Sequence, residues 1–112
     1  MRLTGKQKRF LRAHGHGLKP TVWIGKRGVE LTLVTQLDWV LTSQELVKVR
    51  LLDSCPLTRD ACAAALAKAS GAGVAQILGH TILLYRPHPK QPVLVLPAGR
   101  KAGDLADEED EL

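Results

Sequence analysis

The chain has 112 residues, 45% of them hydrophobic, and a formal net charge of +5. That length suits one domain with a modest core and a tail to spare; no apolar run approaches the ~20 residues of a membrane span, and Met1-Arg2-Leu3-Thr4 opens no signal-peptide stretch, so a cytoplasmic protein is expected. Charge placement says more than the sum: residues 1–28 carry Arg2, Lys6, Lys8, Arg9, Arg12, Lys19, Lys26 and Arg27 with no acid, while 102–112 carry six acids and no base. Without that acidic stretch the body stands at 16 basic against 5 acidic residues, a field that attracts polyanions.

Thr4 followed by Gln7 is a capping box that starts a first helix. Leu3, Phe10 and Leu11 give it an apolar edge, and Lys6, Lys8, Arg9 and Arg12 take the rest of its surface, ending at Gly15 and Gly17. Like charges three and four apart weaken a helix unless an anion neutralises them. Thr21-Val22-Trp23-Ile24 reads as a strand, stopped by the turn Gly25-Lys26-Arg27-Gly28. Val29, Leu33, Leu37, Val40 and Leu41 predict a helix over 29–41, with Leu31, Val34 and Trp39 widening its buried stripe. Glu45 to Leu52 predicts a strand, with Lys48 and Arg50 on a wet face. Thr58 to Ser70 is an Ala-rich helix stopped by Gly71. Gly73–Leu78 and Thr81–Arg86 predict a hairpin turning at Gly79-His80, and Val93–Leu96 a short edge strand beyond a Pro-rich exit. The order, helix, strand, helix, strand, helix, strand, strand, argues a mixed sheet with helices largely on one side. The folded domain is expected over 1–97 and a disordered acidic tail over 98–112.

The turn at 25–28 carries the most chemistry. Its two glycines let the backbone approach a ligand, amides at a following helix start favour phosphate oxygens, and Lys26 and Arg27 add mobile cations. KH domains clamp a nucleic-acid backbone with a GxxG loop of this sort. Other chemistry finds no support. Neither a Walker phosphate loop nor a dinucleotide fingerprint is present, and Ser43, Ser54 and Ser70 sit in no nucleophile elbow. Glu30, Asp38, Glu45, Asp53 and Asp60 form no acid–base pair. Cys55 and Cys62 lack metal-ligand spacing and are expected as free thiols, Cys62 buried. Trp23 and Trp39 are assigned to packing, since the core has so few aromatics. No enzyme, cofactor or metal site is expected.

His16-Gly17-Leu18-Lys19-Pro20, Val22-Trp23-Ile24-Gly25-Lys26-Arg27-Gly28, Glu45–Arg50 and Gly79–Pro87 together resemble the CRM domain, named for chloroplast RNA splicing and ribosome maturation. As a free-standing domain the chain is similar to the bacterial YhbY-like RNA-binding proteins. The resemblance implies a compact α/β (α+β) fold of order αβαβαββ, with a four-stranded mixed sheet, similar to the C-terminal domain of translation initiation factor three. It implies a monomer that binds RNA, ribosomal RNA of large-subunit precursors first, through Gly25, Lys26, Arg27, Gly28 and the neighbouring Lys6, Lys8, Arg9, Arg12, His16 and Lys19. Intron or transfer RNA is the alternative ligand; a protein-docking module using the sheet face is the alternative function. The chain departs from the family pattern at Val29-Glu30, where Leu-Thr is common, and in its acidic tail.

Overall fold

The computed structural model describes residues 1–98; the expected tail lies, but for Ala98, outside the described residues. Seven elements follow in the expected order: α1 (Gly5–Gly15), β1 (Val22–Ile24), α2 (Leu31–Gln44), β2 (Leu46–Leu51), α3 (Arg59–Ser70), β3 (Gly73–Leu78) and β4 (Thr81–Tyr85). Local chemistry sets the ends. The Thr4 hydroxyl accepts from the Gln7 amide while the Gln7 side chain accepts from the Thr4 amide, completing the capping box on α1. The Thr58 hydroxyl caps α3 by accepting from the Ala61 amide, without a reciprocal bond, and left-handed Gly71 closes the helix.

The strands form one sheet in the order β1-β2-β4-β3, with β1 parallel to β2 and the remaining pairs antiparallel. Because side chains alternate across a sheet, its register sorts them onto two faces. Val22, Ile24, Val47, Val49, Leu51, Ile82 and Leu84 point to one side, where Leu33, Leu37 and Leu41 of α2 and Cys62, Ala63 and Leu66 of α3 bury them. Leu46, Leu83, Tyr85 and Ala75 point to the other, where Leu3 and Leu11 of α1 cover them. Two helices therefore share one face, and the third takes part of the opposite one. At Gly15 the α1 backbone comes so close that a methyl group there would stand 2.7 Å from Leu83 Cδ2.

Three expectations change. Helix α2 starts two residues late and runs on to Gln44, and Leu31 and Trp39 are exposed rather than buried. The cause is helical phase: each lies two residues from a buried leucine (Leu33, Leu37, Leu41), about 200° round the axis. Trp23 is 50% exposed, because its neighbours Val22 and Ile24 take the covered face of β1. Residues 93–96 form no strand. Instead the stretch lies along the α1 side of the molecule, with Leu94 and Leu96 against the smaller core and the Gln7 side chain donating to the Pro97 carbonyl at 3.2 Å.

Glu45 holds that stretch in place. It sits between α2 and β2 with φ 64°, the left-handed side of backbone space, and is buried. Its carboxylate accepts from the amides of His88 at 2.7 Å, Val93 at 3.0 Å and Leu94 at 2.9 Å. Burial pushes this carboxyl up, but the three amides and nearby His88 outweigh it and hold the group below its ordinary value. A second tie lies beside it. Arg86 donates to Asp38 Oδ1 at 2.6 Å, to the Ser70 carbonyl at 2.8 Å and to the Thr42 hydroxyl at 3.0 Å, joining the end of β4 to α2 and α3.

Candidate nucleic-acid interface

Strand β1 ends in a tight turn. The Gly28 amide donates to the Gly25 carbonyl at 3.0 Å, which puts Lys26 and Arg27 at an exposed tip. Gly28 has φ 62°, so the turn needs a residue without a Cβ there, and it is seated on Pro56 and Leu57. Gly25 is different. Its φ is not positive, and an added Cβ would meet Ser54 Oγ at 3.5 Å and Leu52 Cδ1 at 3.7 Å, ordinary contacts. The free fold does not demand glycine at that position; a close-approaching ligand would.

The turn does not run straight into a helix, as the sequence suggested. Val29 and Glu30 intervene, and Glu30 is the N-cap of α2 without a side-chain cap hydrogen bond. The first amide of α2, that of Leu31, thus stands four residues beyond Arg27, with a carboxylate at the helix entrance.

The other expected residues lie on or after α1. Lys6, Arg9 and Arg12 are exposed, Lys8 is half-buried against the fold, His16 is the exposed C-cap, and Lys19 is exposed in the connection to β1. Helix and turn are tied together by the sheet face they border. The register sets Trp23 beside Arg50, and Arg50 beside Thr81; the next row along holds Lys48 beside Leu83, over which Gly15 of α1 lies. The α1 side of the sheet therefore continues from the helix, past Lys48 and Arg50, to Trp23 and the turn. At its other end Lys19, Lys48 and His14 line a cleft of about 560 Å³ with Thr21, whose buried hydroxyl has no partner. Among the described residues, Lys6, Arg9, Arg12, Lys19, Lys26, Arg27, Lys48 and Arg50 make no side-chain hydrogen bond or ion pair. Lys48 and Arg50 were legible as a charged strand face, but nothing in the sequence tied that face to the turn. Trp23 was assigned to the core, and its exposure follows only from knowing which side of β1 is covered.

No group of three His, Cys, Asp or Glu among the described residues could hold a metal ion. Cys55 and Cys62 are both free; burial, then the neighbouring Cys55, pushes the Cys62 thiol up to about 11, so it stays protonated and unreactive. No helix among the described residues is long and apolar enough to cross a membrane.

A family model of the CRS1/YhbY (CRM) domain matches residues 3–86. The chain belongs to the CRM family. It is 40% identical over 95 residues to the probable RNA-binding protein YqeI of Bacillus subtilis, covering 85% of this chain and 99% of that one. It is 43% identical over 88 residues to a probable RNA-binding protein of Methanocaldococcus jannaschii, covering 77% of this chain and 65% of that protein. The solution structure of a hypothetical Staphylococcus aureus protein, put forward there as RNA-binding, superposes with a TM-score of 0.71 at 33% identity, over 86% of this chain and all of that one. The CRM match ends at Arg86, so the stretch that Glu45 fixes lies outside it.

Proposed function

We propose that this CRM protein binds RNA without acting on it chemically, and that ribosomal RNA in precursors of the large subunit is its target. The observation that carries the reading is the exposed, glycine-hinged tip with two unneutralised cations, at the end of the strand whose Trp23 shares a sheet face with the basic helix. Lys26 and Arg27 reach phosphate oxygens, Gly25 lets a sugar–phosphate chain come close, and Lys6, Lys8, Arg9, Arg12, His16 and Lys19 extend the positive track. Such contacts position RNA but carry little sequence information. The names of the relatives support the RNA class, and the family resemblance supports the ribosomal target.

Crosslinking in cells, sequencing of the attached RNA and sedimentation of the particle test the target. Reads from large-subunit ribosomal RNA in pre-subunit fractions are the expected result. Intron or transfer RNA reads would redirect the assignment within RNA, and recovery of no RNA would overturn it. A second reading, a protein-docking module, is favoured by the exposed Leu31 and Trp39 on the outer side of α2; association that survives nuclease and high salt would select it.

The glycines separate the fold from the contact. Gly28→Ala is expected to cost about 1–2 kcal/mol of stability, from the positive φ alone. Gly25→Ala is expected to leave the melting temperature unchanged yet weaken RNA binding severalfold. Thermal melts and RNA titrations of both variants check this, and an unchanged RNA affinity for Gly25→Ala would mean that no chain approaches there.

A further inference from the structure

We propose that Trp23, with Arg50 beside it, is a stacking platform for one unpaired base of the bound RNA, so that the preferred ligand is single-stranded where it crosses the sheet. The inference rests on the RNA-binding reading and adds to it the strandedness of the ligand.

Three observations converge. Trp23 is half-exposed on the side of the sheet that α2 and α3 leave bare, although a large aromatic gains most from burial. Its registered neighbour is Arg50, an exposed guanidinium without a partner among the described residues. An indole face with a free cation at its edge takes a base by stacking while the cation takes the adjoining phosphate. Finally, Trp23 is two residues before Gly25 on the strand that delivers the Lys26-Arg27 tip, and two residues after Thr21 in the Lys19–Lys48 cleft. Alternate residues of a strand stand about 6.6 Å apart on one face. A backbone held at the tip and running toward the cleft must cross the indole. Base-paired RNA keeps its bases stacked inside the helix and cannot use such a surface; unpaired RNA can.

Trp39 supplies the contrast. It is more exposed still, at 79%, but its helical neighbours Thr35, Gln36, Thr42 and Ser43 carry no cation, and the guanidinium that Thr42 holds, Arg86, is already paired with Asp38. A Trp39→Phe background therefore leaves Trp23 as the sole indole reporter. Adding a short single-stranded RNA of mixed sequence is expected to quench Trp23 emission; the duplex of the same sequence and inorganic polyphosphate are expected to leave it unchanged. In the otherwise native chain, Trp23→Ala is expected to weaken single-strand binding about 5- to 150-fold, with the salt dependence unaltered, because no charge is lost. Trp23→Phe is expected to recover most of the affinity. Single-strand binding that requires Lys26 and Arg27 but neither quenches Trp23 nor suffers from Trp23→Ala would overturn the platform and leave RNA binding standing. Absence of any RNA binding by the native chain would overturn both.

Discussion

Replacing Lys26 and Arg27 together by alanine is expected to weaken RNA binding roughly tenfold for each cation lost, the lower end of what a charged hydrogen bond contributes. The more telling readout is salt. Each phosphate contact on a single strand adds about −0.7 to the slope of log K against log salt. The double variant should therefore bind with a slope shallower by about 1.4, and the loss should be similar across RNA sequences. Stability should not move, because both side chains are exposed and unpartnered. RNA titrations at two salt concentrations, with a thermal melt as control, make the check. Full affinity with an unchanged slope would remove the tip from the mechanism and leave α1, Lys19 and the sheet face of Lys48 and Arg50 as the remaining candidates.

The largest effect on stability is expected at Glu45. Glu45→Ala takes the acceptor from three amides and frees the stretch from His88 to Leu94. Charged hydrogen bonds contribute about 1.5–3 kcal/mol each at the upper end of the scale, but the freed amides regain water, so a net loss of roughly 2–4 kcal/mol is expected. The sign with pH is fixed by the direction of the shift. Glu45 is held below its ordinary value of 4.5, so its contribution is fully present above that value and is lost as pH falls through the lower folded value. Urea unfolding from neutral pH into the acid range should show the native chain losing stability below about pH 4.5, and Glu45→Gln should flatten that limb. An identical acid limb in Glu45→Gln would assign the acid sensitivity to another carboxyl.

Much of this was legible because it is local. The capping box at Thr4, the stop at Gly71 and the turn at Gly79-His80 are each written within a few residues, and the structure has all three. What escaped is nonlocal. A three-residue strand such as β1 shows alternation but not which side will be covered, so Trp23 was placed in the core. Helix α2 has apolar residues on more than one side, and only its docking through Leu33, Leu37 and Leu41 leaves Leu31 and Trp39 outside. Glu45 reads as an unremarkable first strand residue. Its partners lie 43 to 49 positions away, beyond any local pattern. The hydrophobic run at 93–96 looks like a strand because alternation does not distinguish pairing with a neighbour from packing by alternate leucines.

The unequal apolar clusters on the two sides of the sheet grade the molecule's resistance to local opening. Among the described residues, the α2–α3 side holds fourteen buried residues in its cluster and the α1 side six. Subglobal opening is drawn from regions with fewer buried contacts, so α1 should detach while the sheet and the other two helices persist. Its amides would then exchange with solvent through a partial opening rather than through global unfolding. The element richest in positive charge is also the one docked on the smaller cluster, and a polyanion lying along it would act as its clamp.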